Sequence, residues 1–385
     1  MRSYNPYIMN KYIDRAIQDL HQHLQPGKVV IILGPRRTGK TTLVQHFLEN
    51  TKYKCRSETG DNIRINELFE TGDLTRLKEF ASGFELIVID EAQKIKNIGQ
   101  GLKILTDYTE DLHLLVTGSS SFELLGQVGE PLTGRKKTFT LYPISQAELL
   151  SQFNRYDLRE NMESFLLFGG YPEVVTATDK TAKIEILNEI LNAYLLKDIL
   201  EVDRVKNSKL LLNLLRLLAF QVGNLVSLSE LSRTLQIDYK TVARYIDLFE
   251  KSFVLFSLGG YSSNLRSEIS KKNKYYFYDN GIRNAIISNF NPIEVRNDIG
   301  NLWENFLFIE RMKKRAYTGM HANIFFWRTY EQKEIDLIEE RDGKLFGYEF
   351  KWGTKTVKTP RKWAEEYPDA EFSVINQENY LDFIT

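Results

Sequence analysis

A glycine- and lysine-rich segment at residues 34–42 contains the residue types that bind the phosphates of a nucleotide. It comprises Gly34, Pro35, Arg36, Arg37, Thr38, Gly39, Lys40, Thr41 and Thr42. Glycine-rich backbone lets N–H groups surround a phosphate, a lysine ammonium reaches the β- and γ-phosphates, and a threonine hydroxyl is a ligand for Mg²⁺. We therefore expect this segment to bind ATP, with Lys40 acting in catalysis and Thr41 holding the metal ion.

Two apolar patterns place this segment between a strand and a helix. Residues 29–33 are VVIIL, which is typical of a buried strand, and residues 43–48 carry apolar side chains at helical spacing. A strand that enters a glycine turn and opens a helix directs the positive end of the helix toward a phosphate. This order defines a P-loop, and the complete motif disfavours the alternative of a chance glycine turn.

Two consecutive carboxylates, Asp90 and Glu91, follow a largely apolar run at residues 84–89. A buried parallel strand delivers its last residues to the sheet edge where the phosphates lie. We expect Asp90 to hold Mg²⁺ through water and Glu91 to polarise the attacking water. Either carboxylate alone could be a helix cap or a surface group, but their position downstream of a P-loop favours the catalytic role.

Polar residues at two further positions complete the predicted nucleotide site. Ser119 follows a strand pattern at residues 112–118, where it either senses the γ-phosphate or helps to cap a helix that begins at Phe122. Arg135 follows a short helix and a glycine turn on the far side of the predicted core. From there it reaches a neighbouring subunit's nucleotide more easily than its own, which is the geometry of an arginine finger.

The chain has 385 residues, and its 51 basic and 51 acidic side chains give a formal net charge of zero. This length predicts two or three domains, and the neutral charge restricts any polyanion contact to local patches. Cys55 is the single cysteine, so neither an internal disulfide nor a cysteine-built metal site is expected. With no signal-type segment and no apolar stretch of spanning length, we expect a soluble cytoplasmic protein without membrane contact.

Helical patterns flank the predicted nucleotide core on both sides. Residues 11–24 carry apolar side chains at a spacing of four, which predicts a helix before the P-loop strand. After the core, residues 141–222 predict a helical lid, in which Ser145 and Glu148 form a capping box. Within this lid the dipeptide at residues 169–170, Gly-Gly, is expected to end a helix.

Residues 227–250 predict a helix, a tight turn and a second helix, followed by strand patterns that form a wing. Asp238 is the expected cap of the second helix. The side chains expected to face outward early in this helix suit phosphates and base edges, and they are Tyr239, Lys240, Thr241 and Arg244. Because Asp247 and Glu250 follow on the same helix, DNA contact and a purely structural role are equal alternatives.

The C-terminal third combines carboxylates and a lysine in a pattern suited to metal-dependent cleavage of a phosphodiester. Glu304 lies on a predicted helix, Asp336 on a predicted strand, and Glu349 and Lys351 on one face of the next strand. Asp336 and Glu349 are expected Mg²⁺ ligands, Glu304 completes the site, and Lys351 orients the attacking water. A surface hairpin of alternating charge is the alternative. Two basic runs beside this site form a candidate phosphate track, residues 311–315 and 351–362.

Several short motifs resemble one protein family along essentially the whole chain. GPRRTGKTTL, the strand ending in DEAQK, TGSSS, TGR followed by LYPIS, and FGGYP look like the AAA+ ATPases of bacteria and archaea whose C-terminal half has a long-unassigned function. The helix glutamate, strand aspartate and Glu-x-Lys pattern resembles the PD-(D/E)xK nucleases, although Ile335 stands where that motif has proline. The resemblance implies a ring-forming ATPase, expected to be a hexamer, with Arg135 acting in trans.

The fold expected from these patterns is α/β. A P-loop AAA+ core with a parallel sheet is predicted at residues 1–140, a helical lid at 141–222, a winged helix-turn-helix at 223–262 and a restriction-endonuclease-like domain at 263–385. The expected function is hydrolysis of ATP with Mg²⁺, coupled to the processing of bound DNA, including branched, Holliday-junction-like DNA. The alternative is a nucleotide-gated regulatory ATPase whose nuclease-fold domain only binds a partner. The intact acidic residues and Lys351 favour the first hypothesis.

Overall fold

The computed structural model describes residues 12–119, 131–192, 208–261, 272–329 and 331–385. Contacts group these residues into two units. The nucleotide unit contains the described residues of 14–142 and 251–253, and the C-terminal unit contains Tyr12, Ile13 and the described residues of 143–250 and 254–385. Among the described residues, no helix is both long and apolar enough to cross a membrane.

A five-stranded parallel sheet forms the centre of the nucleotide unit. Its strands lie in the order β2-β3-β4-β1-β5, and they are β1 Val29–Leu33, β2 Cys55–Thr59, β3 Leu86–Asp90, β4 His113–Gly118 and β5 Lys136–Thr140. All of β1 and the first four residues of β3 are buried, as expected for central strands of a parallel sheet covered on both faces. The predicted α/β fold with a parallel sheet is confirmed.

Helices connect the strands of this sheet. Those in the described part of the unit are α1 Lys40–Asn50, α2 Ile63–Thr71, α3 Leu74–Ala81 and α4 Ile98–Tyr108. The side chains of Asn62 and Asp73 accept hydrogen bonds from backbone N–H groups in the first turns of α2 and α3. These caps explain where the two helices begin, because they satisfy N–H groups that have no partner within the helix.

The segment before β1 is not the helix that the sequence predicts. In the part that the structure describes, this segment contains only a short 3₁₀ helix, Leu20–Gln22. Burial alternates with a period of two along residues 13–17. The Arg15 guanidinium donates hydrogen bonds to the backbone oxygens of Thr38 and Tyr142, at 2.6 and 2.7 Å. These bonds hold the segment in an extended form, and they outweigh the helical spacing of its apolar residues.

Helices predominate after β5, in the C-terminal unit. They are α5 Gln146–Leu149, α6 Arg155–Glu160, α7 Met162–Phe168, α8 Pro172–Thr176, α9 Lys180–Ile190, α10 Ser208–Phe220, α11 Leu228–Leu235, α12 Tyr239–Lys251 and α13 Asn280–Ile286. At the start of α5, Ser145 and Glu148 each bond the other's backbone N–H group, which confirms the predicted capping box. Residues 193–207 of the predicted lid lie outside the described residues.

The predicted helix, turn and helix are α11 and α12. Thr241 N–H donates to the Asp238 carboxylate at 2.9 Å, which confirms Asp238 as the cap of α12. Three antiparallel strands accompany these helices in the order β6-β8-β7, namely β6 Leu225–Val226, β7 Leu255–Leu258 and β8 Asn273–Phe277. The predicted wing falls partly on residues 262–271, outside the described residues.

A second sheet, with four strands in the order β12-β11-β10-β9, follows toward the C-terminus. Its strands are β9 Asn323–Arg328, β10 Glu334–Arg341, β11 Lys344–Phe350 and β12 Glu371–Ile375, and its helices are α14 Ile299–Thr318, α15 Arg361–Glu366 and α16 Tyr380–Ile384. Strands β9, β10 and β11 are antiparallel, whereas β12 runs parallel to β11. The pairing of Leu337 with Tyr348 brings the adjacent Asp336 and Glu349 toward each other.

Strand β8 contributes side chains to two apolar cores. Tyr275 and Phe277 belong to a core built from α7 to α13, whereas Tyr276 belongs to a core with α14 and β9 to β11. The Tyr276 ring stacks on that of Phe308, with centroids 4.0 Å apart. Contacts group the described residues of 143–250 and 254–385 into one unit, and the predicted domain boundaries at residues 222 and 262 stay a prediction. The shared strand links the two cores.

Gly169 and Gly170 end α7 as predicted, and Gly169 has a positive φ of 73°, which favours glycine. They also surround a buried carboxylate that no local sequence pattern indicates. A Cβ atom at Gly169 would collide with the Asp279 carboxylate, and Gly170 N–H donates to Asp279 Oδ2 at 2.7 Å. Burial raises the pKa of Asp279 to about 6, although the backbone N–H donors oppose the shift.

Candidate functional site

The P-loop leaves the carboxyl end of β1 and enters α1 through two glycines with positive φ. Gly34 has φ 149°, and a Cβ atom there would collide with the backbone oxygen of Leu141. Gly39, at φ 90°, directly precedes α1. A side chain at Gly34 would displace the neighbouring backbone, so the loop can close around a small anion only with glycine at this position.

Lys40 lies inside this loop. Its Nζ donates hydrogen bonds to the backbone oxygens of Gly34 at 2.9 Å and Pro35 at 2.8 Å, and the residue is buried. Burial lowers the pKa of Lys40 to about 8, although the nearby Glu91 and Asp90 carboxylates partly offset the effect. The ammonium is thus already held where phosphate oxygens can replace its two backbone partners.

The Asp90 carboxylate joins the P-loop to the ends of two strands. Its Oδ2 accepts a hydrogen bond from the Thr41 hydroxyl at 2.8 Å, and its Oδ1 accepts one from the Thr117 hydroxyl at the end of β4. Glu91 N–H also donates to Oδ1, at 3.0 Å. A threonine hydroxyl beside a fixed carboxylate offers the hard oxygen donors that Mg²⁺ prefers, so the residues fit the predicted metal ion. Thr117 was not predicted as part of the site.

Glu91 is oriented by a glutamine that was also not predicted. Gln93 Nε2 donates to Glu91 Oε2 at 2.6 Å and to Ser119 Oγ at 2.9 Å. Ser119 N–H in turn donates a hydrogen bond to Gln93 Oε1 at 3.3 Å. Glu91 has φ 51°, a strained backbone conformation of the kind found at functional sites. The signal for Gln93 is its position two residues after Glu91.

The other residues predicted to bind nucleotide all lie in the loop or in the first turn of α1, namely Pro35, Arg36, Arg37, Thr38 and Thr42. Thr38 Oγ1 donates to the backbone oxygen of Pro35 at 2.9 Å, and Arg15 bonds the backbone oxygen of Thr38. Arg15 was not predicted, because a buried arginine that bonds backbone oxygens has no local motif.

Arg135 lies at the sheet edge opposite the P-loop. Its backbone oxygen accepts a hydrogen bond from Val29 N–H at 2.8 Å, at the start of β1, and its guanidinium pairs with Asp107 of α4. The length of a strand therefore separates Arg135 from the P-loop of its own chain. The predicted contact with a neighbouring subunit's nucleotide stays a prediction.

In the C-terminal unit, the predicted acidic residues surround a lysine that was not predicted. Lys274 of β8 is 1% exposed, and its Nζ lies 3.0 Å from Glu304 Oε1 and 3.5 Å from Asp336 Oδ1. It also pairs with Glu334. Burial alone would lower the pKa of Lys274, but the surrounding anionic groups, Glu304 first, raise it well above the ordinary value. The side chain is therefore an ammonium.

Glu349 and Lys351 form a separate pair at the edge of this cluster. Lys351 Nζ donates to Glu349 Oε1 at 2.6 Å, while Glu349 Oε2 is buried without a hydrogen-bond partner. Burial, reinforced by Asp336, raises the pKa of Glu349 to about 7. Glu349 also lines a cleft of about 780 Å³ beside residues 357–366. The structure thus brings the four predicted residues of this site together, and Lys274 contacts two of them, Glu304 and Asp336.

The predicted Mg²⁺ ion does not fit this arrangement well. The described residues contain no group of three or more histidines, cysteines or carboxylates placed to hold a metal ion. Glu304 Oε1 accepts hydrogen bonds from Lys274 and, at 2.7 Å, from the Tyr276 hydroxyl. Asp336 Oδ2 accepts one from Phe350 N–H at 2.8 Å. Of the oxygens assigned to the metal ion, both of Asp336 and Oε1 of Glu349 already have partners, whereas Glu349 Oε2 has none.

The first basic run beside this cluster is not a phosphate track. Arg311 is buried and pairs with Glu339 at 2.7 Å, and Lys313 is buried and pairs with Glu310 at 2.6 Å. Their charges are neutralised inside the protein, so they are not available to a polyanion. The second run differs, since most of its basic side chains are exposed, although Arg361 pairs with Glu365.

The surface of α12 agrees with the predicted orientation of its side chains. Tyr239 is 53% exposed, and Lys240 and Arg244 are exposed as well. The Thr241 hydroxyl instead donates to the Asp238 carboxylate at 2.5 Å, and so it belongs to the helix cap. The opposite face of the helix is buried in the core.

Three family models match separate parts of the chain. Residues 26–150 match an AAA domain, residues 159–292 match a domain of unknown function (DUF8612), and residues 299–382 match a domain of unknown function (DUF4143). The second model includes β8, which agrees with the pairing of β8 with β6 and β7.

Similar proteins occur in distant organisms and are described as uncharacterized. One from Mycobacterium tuberculosis is 26% identical over 365 residues, covering 93% of this chain and 78% of the relative. One from Haemophilus influenzae is 27% identical, covering 86% and 84%, and one from Methanocaldococcus jannaschii is 25% identical, covering 83% and 74%. A solved DNA replication initiation factor covers 64% of this chain and 92% of its own, at 16% identity and a TM-score of 0.27, too low to support an argument. The matched model and the geometry of its P-loop together identify an AAA-type P-loop ATPase domain in this chain.

Proposed function

We propose that this protein hydrolyses ATP, with Mg²⁺, at the P-loop of the nucleotide unit. The observation that carries the proposal is the Asp90 carboxylate, which accepts hydrogen bonds from Thr41 of the P-loop and Thr117 of β4. This link holds the two sequence motifs together at one edge of the sheet, where a nucleotide's phosphates meet a helix N-terminus.

Each residue of the site has a distinct role in this reaction. Lys40 exchanges its two backbone partners for β- and γ-phosphate oxygens, and Thr41 and Asp90 hold the Mg²⁺ ion. When bound, Mg²⁺ supplies positive charge that offsets the charge developing on the phosphoryl oxygens. Glu91 orients and polarises the attacking water. Gln93 keeps the Glu91 carboxylate in place and connects it to Ser119, which favours a role for Ser119 in sensing the γ-phosphate.

The test measures binding and turnover separately in two variants. Lys40→Ala should lose most of its nucleotide affinity, because the ammonium that faces the phosphates is gone. Glu91→Gln should bind ATP nearly as well as the wild type but turn it over about 10²–10⁴-fold more slowly. An equal loss of binding in both variants would refute these roles.

A second proposal is that DNA is the partner whose binding controls this ATPase. It is supported by the exposed side chains of Tyr239, Lys240 and Arg244 on the second helix of a helix, turn and helix. An aromatic ring and two cations on such a helix are suited to phosphates and base edges. The alternative is a regulatory ATPase whose C-terminal unit binds a protein partner.

DNA-stimulated ATP turnover separates these two functions. If DNA is the partner, duplex or four-way-junction DNA should raise the turnover rate, and the double variant Lys240→Ala/Arg244→Ala should weaken the stimulation. The affinity of the variant for DNA should also depend less steeply on salt. The slope of log affinity against log salt concentration should fall by about 0.9 for each phosphate that the variant no longer neutralises. The matched control is Lys28→Ala/Lys52→Ala, which removes two exposed lysines from the nucleotide unit. No stimulation by any DNA would favour the regulatory alternative.

A further inference from the structure

The acidic cluster of the C-terminal unit is built around a fixed internal cation. Lys274 Nζ lies 3.0 Å from Glu304 and 3.5 Å from Asp336, and it also pairs with Glu334. We propose that this ammonium occupies the cation position of the nuclease-like site, so that the cluster takes no divalent metal ion and the module does not cleave DNA. Lys274 thereby replaces the ion that such a carboxylate set would otherwise need.

The oxygen atoms of the cluster support this assignment. Glu304 Oε1 is shared by the Lys274 ammonium and the Tyr276 hydroxyl. Asp336 places one oxygen toward Lys274 and the other on Phe350 N–H. Mg²⁺ requires oxygen ligands at about 2.0–2.1 Å in octahedral geometry. To accept the ion, these carboxylates would have to give up partners that are buried with them, which is costly in a site shielded from water.

The ammonium is also enclosed by the protein. Lys274 is 1% exposed and belongs to the central strand of a three-stranded sheet, where it pairs with Leu225 on one side and Leu258 on the other. Its side chain passes over the ring of Phe326, with Nζ 5.7 Å from the centroid. A divalent ion would therefore be bound only a few ångströms from a fixed positive charge, and the repulsion would oppose binding.

Charge counting leads to the same conclusion. Three carboxylates, Glu304, Glu334 and Asp336, contact the Lys274 ammonium, and Glu334 also pairs with Arg328 at 3.0 Å. Glu349, the second predicted metal ligand, is already paired with Lys351. The four carboxylates and their three cations thus carry a net charge of about −1 if every group is ionised. A divalent ion would be attracted by a larger negative charge.

The experiment introduces a vacancy at the cation position and measures metal binding directly. Lys274→Met removes the ammonium but keeps a side chain of similar length. Nucleotide-free full-length wild type and variant are titrated with Mn²⁺, and free Mn²⁺ is followed by electron paramagnetic resonance. We expect the variant to gain a site at least ~10-fold tighter than any in the wild type, because repulsion is replaced by attraction to the carboxylates. Its Tm should rise by about 5 °C at an Mn²⁺ concentration ~100-fold above Kd.

Two further variants keep the test decisive. Lys351→Met also removes one lysine paired with a carboxylate of this cluster, but it should gain no Mn²⁺ site because Lys274 remains. Asp336→Asn should leave the Mn²⁺ binding of the wild type unchanged, and this comparison decides the question even if Lys274→Met does not fold. A folded Lys274→Met without a new site would overturn the proposal. The proposal would also be overturned if the wild type bound Mn²⁺, or nicked four-way junctions with a metal ion, and if Asp336→Asn abolished that binding or nicking.

Discussion

Nucleotide binding should take up a proton at the P-loop when the solution is alkaline. In the nucleotide-free protein, burial lowers the pKa of Lys40 to about 8 from an ordinary value of 10.5. A bound polyphosphate brings several negative charges to the ammonium and stabilises its charged form. The pKa of Lys40 should therefore return to its ordinary range on binding, and the neutral fraction must acquire a proton.

The size of the uptake follows from this pKa. The neutral fraction of Lys40 in the free protein is about 0.1 at pH 7, about 0.5 at pH 8 and about 0.9 at pH 9. Each fraction equals the number of protons taken up per nucleotide, because the bound form stays charged throughout. Binding that takes up protons weakens as protons become scarce. Affinity should therefore fall as pH rises above 8, by up to about tenfold per pH unit.

Calorimetry can measure this uptake without hydrolysis. Mg²⁺ and ADP are titrated into the protein at pH 7, 8 and 9 in pairs of buffers with different ionisation enthalpies, and the difference in heat reports the protons exchanged. Lys40→Arg is the control, since a guanidinium remains charged at all three values and its residual binding should be independent of the buffer. No buffer-dependent heat at pH 9 in the wild type, or equal uptake in Lys40→Arg, would refute the reasoning.

Three other predictions concern the same unit. Gly34→Ala should lower the free energy of unfolding by about 1–3 kcal/mol, measured by denaturant titration, because its Cβ atom would collide with backbone. Gln93→Ala frees the Glu91 carboxylate, so kcat should fall while the Kd for ATP changes little; a parallel loss of affinity would contradict this role. Arg135→Ala should be nearly inactive alone but regain turnover when mixed with Lys40→Ala, and no recovery in exchanging subunits would point to another arginine.

The nucleotide site was largely predictable because its signals are local. The valine and isoleucine runs of β1 and β3, the glycine turn and the Asp-Glu pair each lie within a few residues of the feature that they predict. The helix predicted before β1 shows the limit of such local signals. Its apolar residues recur every four positions, but in the structure every second side chain along residues 13–17 is buried. The extended form depends on hydrogen bonds from Arg15 to backbone oxygens that are distant in sequence.

The acidic cluster was predicted only in part, for a similar reason. Glu304, Asp336 and Glu349 stand in recognisable patterns on a helix and two strands. Lys274 follows two other lysines, Lys271 and Lys272, and nothing in that stretch distinguishes it from a solvent-exposed residue. Its burial follows from the pairing of β8 with β6 and β7 and from the packing of β8 on α14, contacts that no local pattern encodes.

The two-sided packing of β8 has a consequence for how the C-terminal unit fluctuates. Tyr275 and Phe277 belong to one core and Tyr276 to the other, so the strand cannot detach from either core without disturbing both. Opening events on the two sides are therefore thermodynamically linked, and the region behaves as a single cooperative foldon. Amide hydrogens of β8 should exchange with solvent only through an opening that exposes both cores at once.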